Sequence, residues 1–233
     1  MHIIKLNAID STNTYLKELS AKQTVANFTV VVAENQTNGR GQRGANWEVE
    51  KGKNLTFSVL KINPSTGPRN QFMLNILVSL SIVKALESFN VPKLSIKWPN
   101  DILIDDKKVA GLLAQQIGDG VIVGIGLNVA MGADELPVPT ATSLALAGSN
   151  NLDRNSLLSA FLNLFENIFK EWDSGGDFLE KYRQISSTLG RQIRVEVLGR
   201  DPIEAEAVAI SAQGALILID GTEVNAGDVV HLR

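Results

Sequence analysis

Residues 94–129 read LSIKWPNDILIDDKKVAGLLAQQIGDGVIVGIGLNV, and the joints inside that stretch decide the architecture. Apolar runs at Leu94–Trp98, Ile102–Ile104, Val109–Ile117 and Val121–Val129 are separated by Pro99-Asn100-Asp101, Asp105-Asp106-Lys107-Lys108 and Asp119-Gly120. Such joints reverse a chain, but they are too short for the crossover that neighbouring parallel strands require. The stretch therefore predicts consecutive antiparallel strands, and a doubly wound dinucleotide fold is disfavoured. Gly111, Gly124 and Gly126 fall inside the strands, where a missing side chain often marks close approach by a ligand or another backbone. Lys97 and Lys108 stand at or near strand ends, from which long side chains can project into a crevice. Asn128 follows just after the glycine gap.

Toward the N-terminus, residues 2–9 (HIIKLNAI) predict a short strand. Asp10-Ser11-Thr12-Asn13 then precedes Tyr15, Leu16 and Leu19 at helical spacing, so a hydroxyl or carboxylate caps the first turn. The same geometry, hydroxyls beside free N–H groups, holds a polar or anionic small molecule equally well. Phe28–Ala33 predicts a buried strand, and it runs into ENQTNGRGQRGANW at 34–47. Gly39, Gly41 and Gly44 let that loop lie against a ligand, Arg40 and Arg43 bring forks suited to phosphate or carboxylate, and Trp47 offers a flat cover for a purine-like ring. Asn54–Leu60 predicts another buried strand, and Pro64–Pro68 a turn-rich break. The helix expected over Gln71–Phe89 is apolar nearly all round, but Asn75, Ser79, Ser81 and Lys84 interrupt it, so it reads as a helix buried on a sheet and not as a bilayer span.

Toward the C-terminus, Asp153 or Asn155 caps a helix running through Trp172 with a wide apolar stripe, and Phe178–Ile185 adds a shorter one. From Gly190 onward the pattern changes to short alternating strands, which predict a small closed barrel of the SH3-like kind. The expectation is a catalytic or binding domain over residues 1–187 and a barrel over 188–233.

Composition narrows the chemistry. The 233 residues are 44% hydrophobic, with a formal net charge of −3. That balance argues against a general nucleic-acid binder, which needs a basic footprint. There is no cysteine, so disulfides, thiolate nucleophiles and cysteine-ligated metals are excluded, a usage that suits a cytoplasmic protein. The two histidines, His2 and His231, sit at the ends of the chain, which argues against a histidine-based triad or zinc site. The N-terminus lacks the basic start and apolar run of a signal peptide.

Taken together and in order, Ile9-Asp10-Ser11-Thr12-Asn13, GRGQRGANW, SIKWPNDILIDDKKVAGLL, GIGLNV and the terminal barrel resemble the biotin–protein ligases over almost the whole chain. The resemblance implies an α+β fold of the class II aminoacyl-tRNA synthetase/biotin ligase kind, with a mixed, largely antiparallel sheet and packed helices. It implies that Ser11, Thr12, Asn13, Gln36, Gly39, Arg40, Gly41, Lys108 and Gly111 bind biotin. Arg40, Arg43, Trp47, Asn100, Lys108, Gly126 and Asn128 would bind ATP and the adenylate, with Arg40 and Lys108 as the catalytic pair and no metal held by the protein itself.

The chemistry so implied uses ATP with Mg²⁺, makes biotinyl-5′-AMP, and passes the biotinyl group to a lysine of a biotin carboxyl carrier protein. Such a reaction needs positioning and charge neutralisation rather than an enzyme nucleophile. Nucleic acid and membrane are not expected partners, and monomer and homodimer both stay open. Two departures from the family stand out. Gln42 occupies a place where members often carry arginine, and the catalytic part begins within a few residues of Met1, so no N-terminal DNA-binding domain and no repressor role is expected. A lipoate or octanoate ligase and a non-catalytic biotin sensor are the alternatives. An octanoyl transferase is excluded by the missing cysteine.

Overall fold

Asp105 and Asp106 both have positive φ, 50° and 60°, and they join β5 (Asp101–Ile104) to β6 (Lys107–Ile117) through the pair Ile104 and Lys107. Two central residues with positive φ match the twist of antiparallel strands, and aspartate tolerates that conformation. The hairpin follows directly from the DD of the sequence. The computed structural model describes residues 1–62, 68–197, 199, 201–225 and 227–232, without the side chains of residues 43, 62 and 68–71. The break expected at Pro64–Pro68 therefore lies almost wholly outside the described residues.

The remaining main-sheet strands are β1 (His2–Leu6), β2 (Thr29–Ala33), β3 (Asn54–Ile62), β4 (Leu94–Lys97) and β7 (Gly120–Asn128). They combine with the hairpin into a seven-stranded sheet of order β1-β2-β3-β7-β6-β5-β4. All its pairings are antiparallel except β1 with β2, which α1 (Thr12–Lys22) connects as a crossover. The sheet is thus mixed and largely antiparallel, as expected.

Side chains alternate across the sheet and give its two faces different jobs. Phe57 and Val59 of β3, Val121, Val123 and Ile125 of β7, and Ala110 and Leu112 of β6 join the main core. Two helices cover that face, α2 (Pro68–Ser88) and α3 (Arg154–Asp173). Asp153 caps α3 by accepting from the N–H groups of Asn155 and Ser156, and Phe161 packs edge-on against Phe57 with ring centroids 5.1 Å apart. On the opposite face, Leu16 of α1 packs with Val31, Leu60 and Ile122 in a smaller cluster. Because α1 is short, it covers only the β2–β3–β7 part of that face. The floor formed by β7, β6 and β5 is left for the loop at 34–47.

The C-terminal strands β8 (Gln192–Glu196), β9 (Ile203–Ile210), β10 (Leu216–Leu218), β11 (Glu223–Val224) and β12 (Asp228–His231) form an antiparallel sheet of order β11-β10-β9-β8-β12. Among the described residues its end strands β11 and β12 are not paired with each other. It docks beside β4 and α4 (Leu179–Gln184): Trp98 Nε1 donates to Gly214 O at 3.0 Å, Arg183 Nε to Ile210 O at 3.1 Å, and Arg191 pairs with Asp106 at 3.0 Å. Among the described residues no helix is long and apolar enough to cross a membrane.

Candidate active site

The first turn of α1 and the loop at 34–47 meet over the uncovered floor. Ser11 is the N-cap, and Thr12 donates twice to Gln36 Oε1, from its backbone N at 2.8 Å and from Oγ1 at 3.0 Å. Ser58 Oγ lies 2.7 Å from Thr12 Oγ1 and 2.6 Å from Asn13 Oδ1, while Asn13 Nδ2 donates to Leu113 O and to Gln115 Oε1. Thr12 gives its single hydroxyl proton to Gln36, so the one Ser58 proton is shared between the acceptors Thr12 Oγ1 and Asn13 Oδ1. A buried polar network with its members paired in this way holds three side chains in fixed orientations. Gly124 makes it possible, since a Cβ there would fall 2.3 Å from Asn13 Oδ1.

Lys108 reaches the same face through a bulge. Ala110 and Leu112 of β6 belong to the core, whereas Gly111 and Leu113 line the cavity. Strict alternation would turn Lys107 toward the cavity and Lys108 into the core. The pairing with β5 slips between Ile102 and Leu103, so that Leu103 faces Lys108 and not Val109. The extra residue re-aims Lys108 at the cavity and Lys107 away from it. Lys108 Nζ then lies 2.7 Å from Asp101 Oδ1 and 5.7 Å from the centroid of the Trp47 ring. The backbone at Lys108 is clamped by Thr140 O and Thr142 N, both at 2.8 Å.

The loop closes on itself as a small hairpin. Trp47 N donates to Gly39 O at 2.9 Å, Gly41 N to Ala45 O at 2.6 Å, and a 3-10 turn spans Gln42–Gly44. Arg40 stands exposed at its lip. Trp47 lies flat over the glycines: a Cβ on Gly126 would be 2.2 Å from its ring and one on Gly111 3.2 Å. The cavity that remains is about 170 Å³, below the roughly 300–1,000 Å³ of ordinary ligand pockets, because the indole occupies the slot. A second cavity of about 290 Å³ opens on the other side of the same ring.

Of the residues expected at the site, Ser11, Thr12, Asn13, Gln36, Arg40, Gly41, Trp47, Asn100, Lys108, Gly111 and Gly126 share one cavity wall. The Arg43 side chain lies outside the described residues. Gly39 lines the second cavity, where Trp47 O and Gln36 Nε2 leave no room for a Cβ. Asn128 is not brought to the wall. Its Oδ1 accepts from Asn54 Nδ2 at 2.9 Å and its Nδ2 donates to Thr142 O at 3.0 Å, so its amide braces the neighbouring loop.

The chain matches the Biotin/lipoate A/B protein ligase family over residues 6–131 and the Biotin protein ligase C terminal domain over residues 188–232. It is 34% identical to the biotin–[acetyl-CoA-carboxylase] ligase of Mycobacterium tuberculosis, over 96% of this chain and 86% of that one. The chain belongs to the biotin protein ligase family. Another member, the bifunctional ligase/repressor BirA of Escherichia coli, is 30% identical over 91% of this chain and 68% of its own. The structure of the biotin protein ligase from Aquifex aeolicus in complex with biotin and ATP superposes with a TM-score of 0.85 at 30% identity, covering 100% of this chain and 99% of that one.

Against that family background, the site also contains residues that reading the sequence missed. Thr56 and Ser58 occupy alternate positions of NLTFSVL, and two polar groups at period two inside an apolar strand were a legible signal. Asp101 could be read only as a turn former. Asp228 lines the cavity from β12, a placement that depends on docking of the C-terminal sheet and leaves no local trace.

Proposed function

We infer that this family member is an ATP-dependent biotin–protein ligase, activating biotin as biotinyl-5′-AMP and transferring it to a lysine of a biotin carboxyl carrier protein. One observation carries the reading: a hydroxyl–amide network at a helix start, a glycine-floored slot under an indole, and the cations Arg40 and Lys108 share one cavity wall. We divide the chain into a catalytic domain, 1–187, and a C-terminal domain, 188–233.

In this reading the biotin carboxylate attacks the α-phosphate of ATP and pyrophosphate departs. The amine of the acceptor lysine, having lost its proton, then attacks the activated carbonyl and AMP leaves. Ser11, Thr12, Asn13 and Ser58 orient the biotin ring system, Gly111 and Gly126 let the ligand lie on the sheet, and Trp47 and Asn100 flank the nucleotide. Arg40 and Lys108 neutralise charge growing on the phosphate, the contribution expected to dominate where no covalent enzyme intermediate forms. Mg²⁺ enters on the phosphate oxygens of ATP. Phosphate oxygens are hard donors, which suit that ion. The cysteine-free composition suits a cytoplasmic setting.

The test is thermal unfolding with biotin plus MgATP beside lipoate plus MgATP, followed by pyrophosphate release and transfer to a carrier domain. A ligand at a hundred times its dissociation constant adds about 2.7 kcal/mol of stability. Stabilisation by biotin and MgATP with pyrophosphate release supports the reading. Stabilisation by lipoate alone moves the chain to the lipoate ligases, and binding without pyrophosphate release makes it a sensor.

A further inference from the structure

We propose that Lys97 is a positioning residue that takes over the Asp101 carboxylate when Lys108 swings to the ligand anion. Strand register carries this inference. Thr56 faces Gly126, Gly126 faces Gly111, Gly111 faces Asp101 and Asp101 faces Lys97. Directly opposed residues project from the same face of a sheet. The first four line the cavity, so Lys97 ends the row on the cavity face, at the edge strand β4. Asp228, from the docked C-terminal sheet, lines the same cavity.

The charges around Lys97 fit a reserve role. Burial is the largest influence on its ammonium and pulls its pKa down; Asp101 raises it, Lys108 lowers it, and Asp228 raises it. Both lysines therefore feel the Asp101 carboxylate, and Lys108 holds it at 2.7 Å. The Asp101 side chain is only 19% exposed. If Lys108 turned to a phosphate with nothing in its place, a largely buried carboxylate would be left beside the incoming anion, which is the costly way to break such a pair. Lys97 is the direct cross-strand partner of Asp101, the separation at which oppositely charged side chains interact.

The inference rests on the reading that Lys108 meets the ligand anion, and its test separates the two. Calorimetry with biotinol-adenylate, in which a CH₂ replaces the acyl carbonyl and the phosphate charge is kept, measures binding without chemistry. Lys97→Met is expected to weaken binding by about ten- to a hundredfold, the penalty of an uncompensated, partly buried charge. In an Asp101→Asn background the same change should cost less than about twofold, because the carboxylate that Lys97 would take over is gone. Lys97→Arg should bind nearly as the native protein does. Equal loss in both backgrounds would mean a direct contact or a packing role and overturns the inference, as does native binding by Lys97→Met or an arginine variant as weak as the methionine one. Should Lys97→Met not fold, Lys97→Gln is read by the same criteria. Failure of the native protein to bind the analogue strikes the ligase reading itself; a failed cycle in a protein that binds strikes Lys97 alone.

Discussion

The Trp47 ring lies so close over Gly126 that a Cβ on the glycine would sit 2.2 Å from the indole. The slot is therefore filled by the side chain expected to cover a ligand, and among the described residues the buried Trp47 Nε1 has no hydrogen-bond partner. Ligand entry must lift the ring, and an indole with an unpaired N–H has less to lose by moving. Biotin plus MgATP should change the tryptophan fluorescence of the native protein, and Trp47→Phe should abolish most of that change although Trp98 and Trp172 remain. Gly126→Ala should fold normally but lower adenylate formation by ~10², the scale of a 1 Å misplacement near reacting atoms. Unchanged fluorescence on saturation with ligand would leave the indole in place and refute the displacement.

The bulge in β6 separates two adjacent lysines. Lys108→Ala should reduce pyrophosphate release by ~10² to 10³, the usual loss when one transition-state partner is removed. Lys107→Ala, on the other face, should stay within about twofold of native, as surface changes away from a site generally do. Equal effects of the two changes would show that the slip in pairing does not aim Lys108 at the phosphate.

How far this was legible can be judged from the same strand. The joints of residues 94–129 announced antiparallel pairing because Pro, Asn, Asp and Gly have few other uses between apolar runs. The bulge was silent: nothing in KKVAGLL marks Val109 as the extra residue, and alternation counted back from Gly111 selects the wrong lysine. Lys108 was reached by family resemblance rather than by period. Asn128 shows the opposite limit. Its place after GIGL suggested a ligand contact, but its amide is turned to Asn54 and the Thr142 carbonyl and stands off the cavity wall. Side-chain partners far apart in sequence are set by tertiary packing, which no local pattern records.

Ser58 is buried with its hydroxyl between Thr12 and Asn13. Ser58→Ala removes the one hydroxyl proton that Thr12 Oγ1 and Asn13 Oδ1 share, and an unsatisfied buried polar group costs about 1–3 kcal/mol. Biotin affinity measured by calorimetry should fall roughly tenfold or more. Ser58→Thr should lose as much, because its extra methyl has no space in a site that is 0% exposed. Native affinity in Ser58→Ala would show that the network serves folding alone.

The C-terminal sheet should weaken in mild acid through His231. Its Nδ1 lies 3.4 Å from Arg191 Nη1 and its Nε2 3.4 Å from Thr188 Oγ1. A guanidinium can only donate, so Nδ1 accepts and Nε2 carries the hydrogen, which is the neutral ring. Burial, followed by repulsion from Lys97 and Arg191, pulls the His231 pKa from 6.5 down to about 4, against an opposing pull from Asp106. Between those two values the unfolded chain binds more protons than the folded one, so this contribution to stability is present above pH 6.5 and is lost as pH falls toward 4. The urea midpoint should drop between pH 7 and pH 5, and His231→Gln, which cannot gain the proton, should flatten the slope. The same slope in both proteins would remove His231 as the cause.

The loop over residues 36–45 is expected to tighten when the adenylate forms. Its backbone is already a hydrogen-bonded hairpin, yet among its described side chains only Gln36 is buried, and Arg40 projects from its lip into water. Such a segment belongs to the low-stability end of a fold, where amides open locally without global unfolding. A phosphate beneath the lip would give Arg40 a charge-assisted partner about twice as strong as a neutral one, while Gln42, a neutral side chain on the cavity wall, would supply only the weaker kind. Gln42→Arg should therefore slow dissociation of biotinyl-adenylate, and Arg40→Ala should speed it. Amide exchange at Gly41, Ala45 and Trp47, whose N–H groups close the hairpin, should slow when biotin and MgATP are added to the native protein and stay fast in Arg40→Ala. Exchange that is equally slow with and without ligand would show a preformed lid; the family assignment would stand, but the cation at position 40 would then be needed for the chemistry and not for closure.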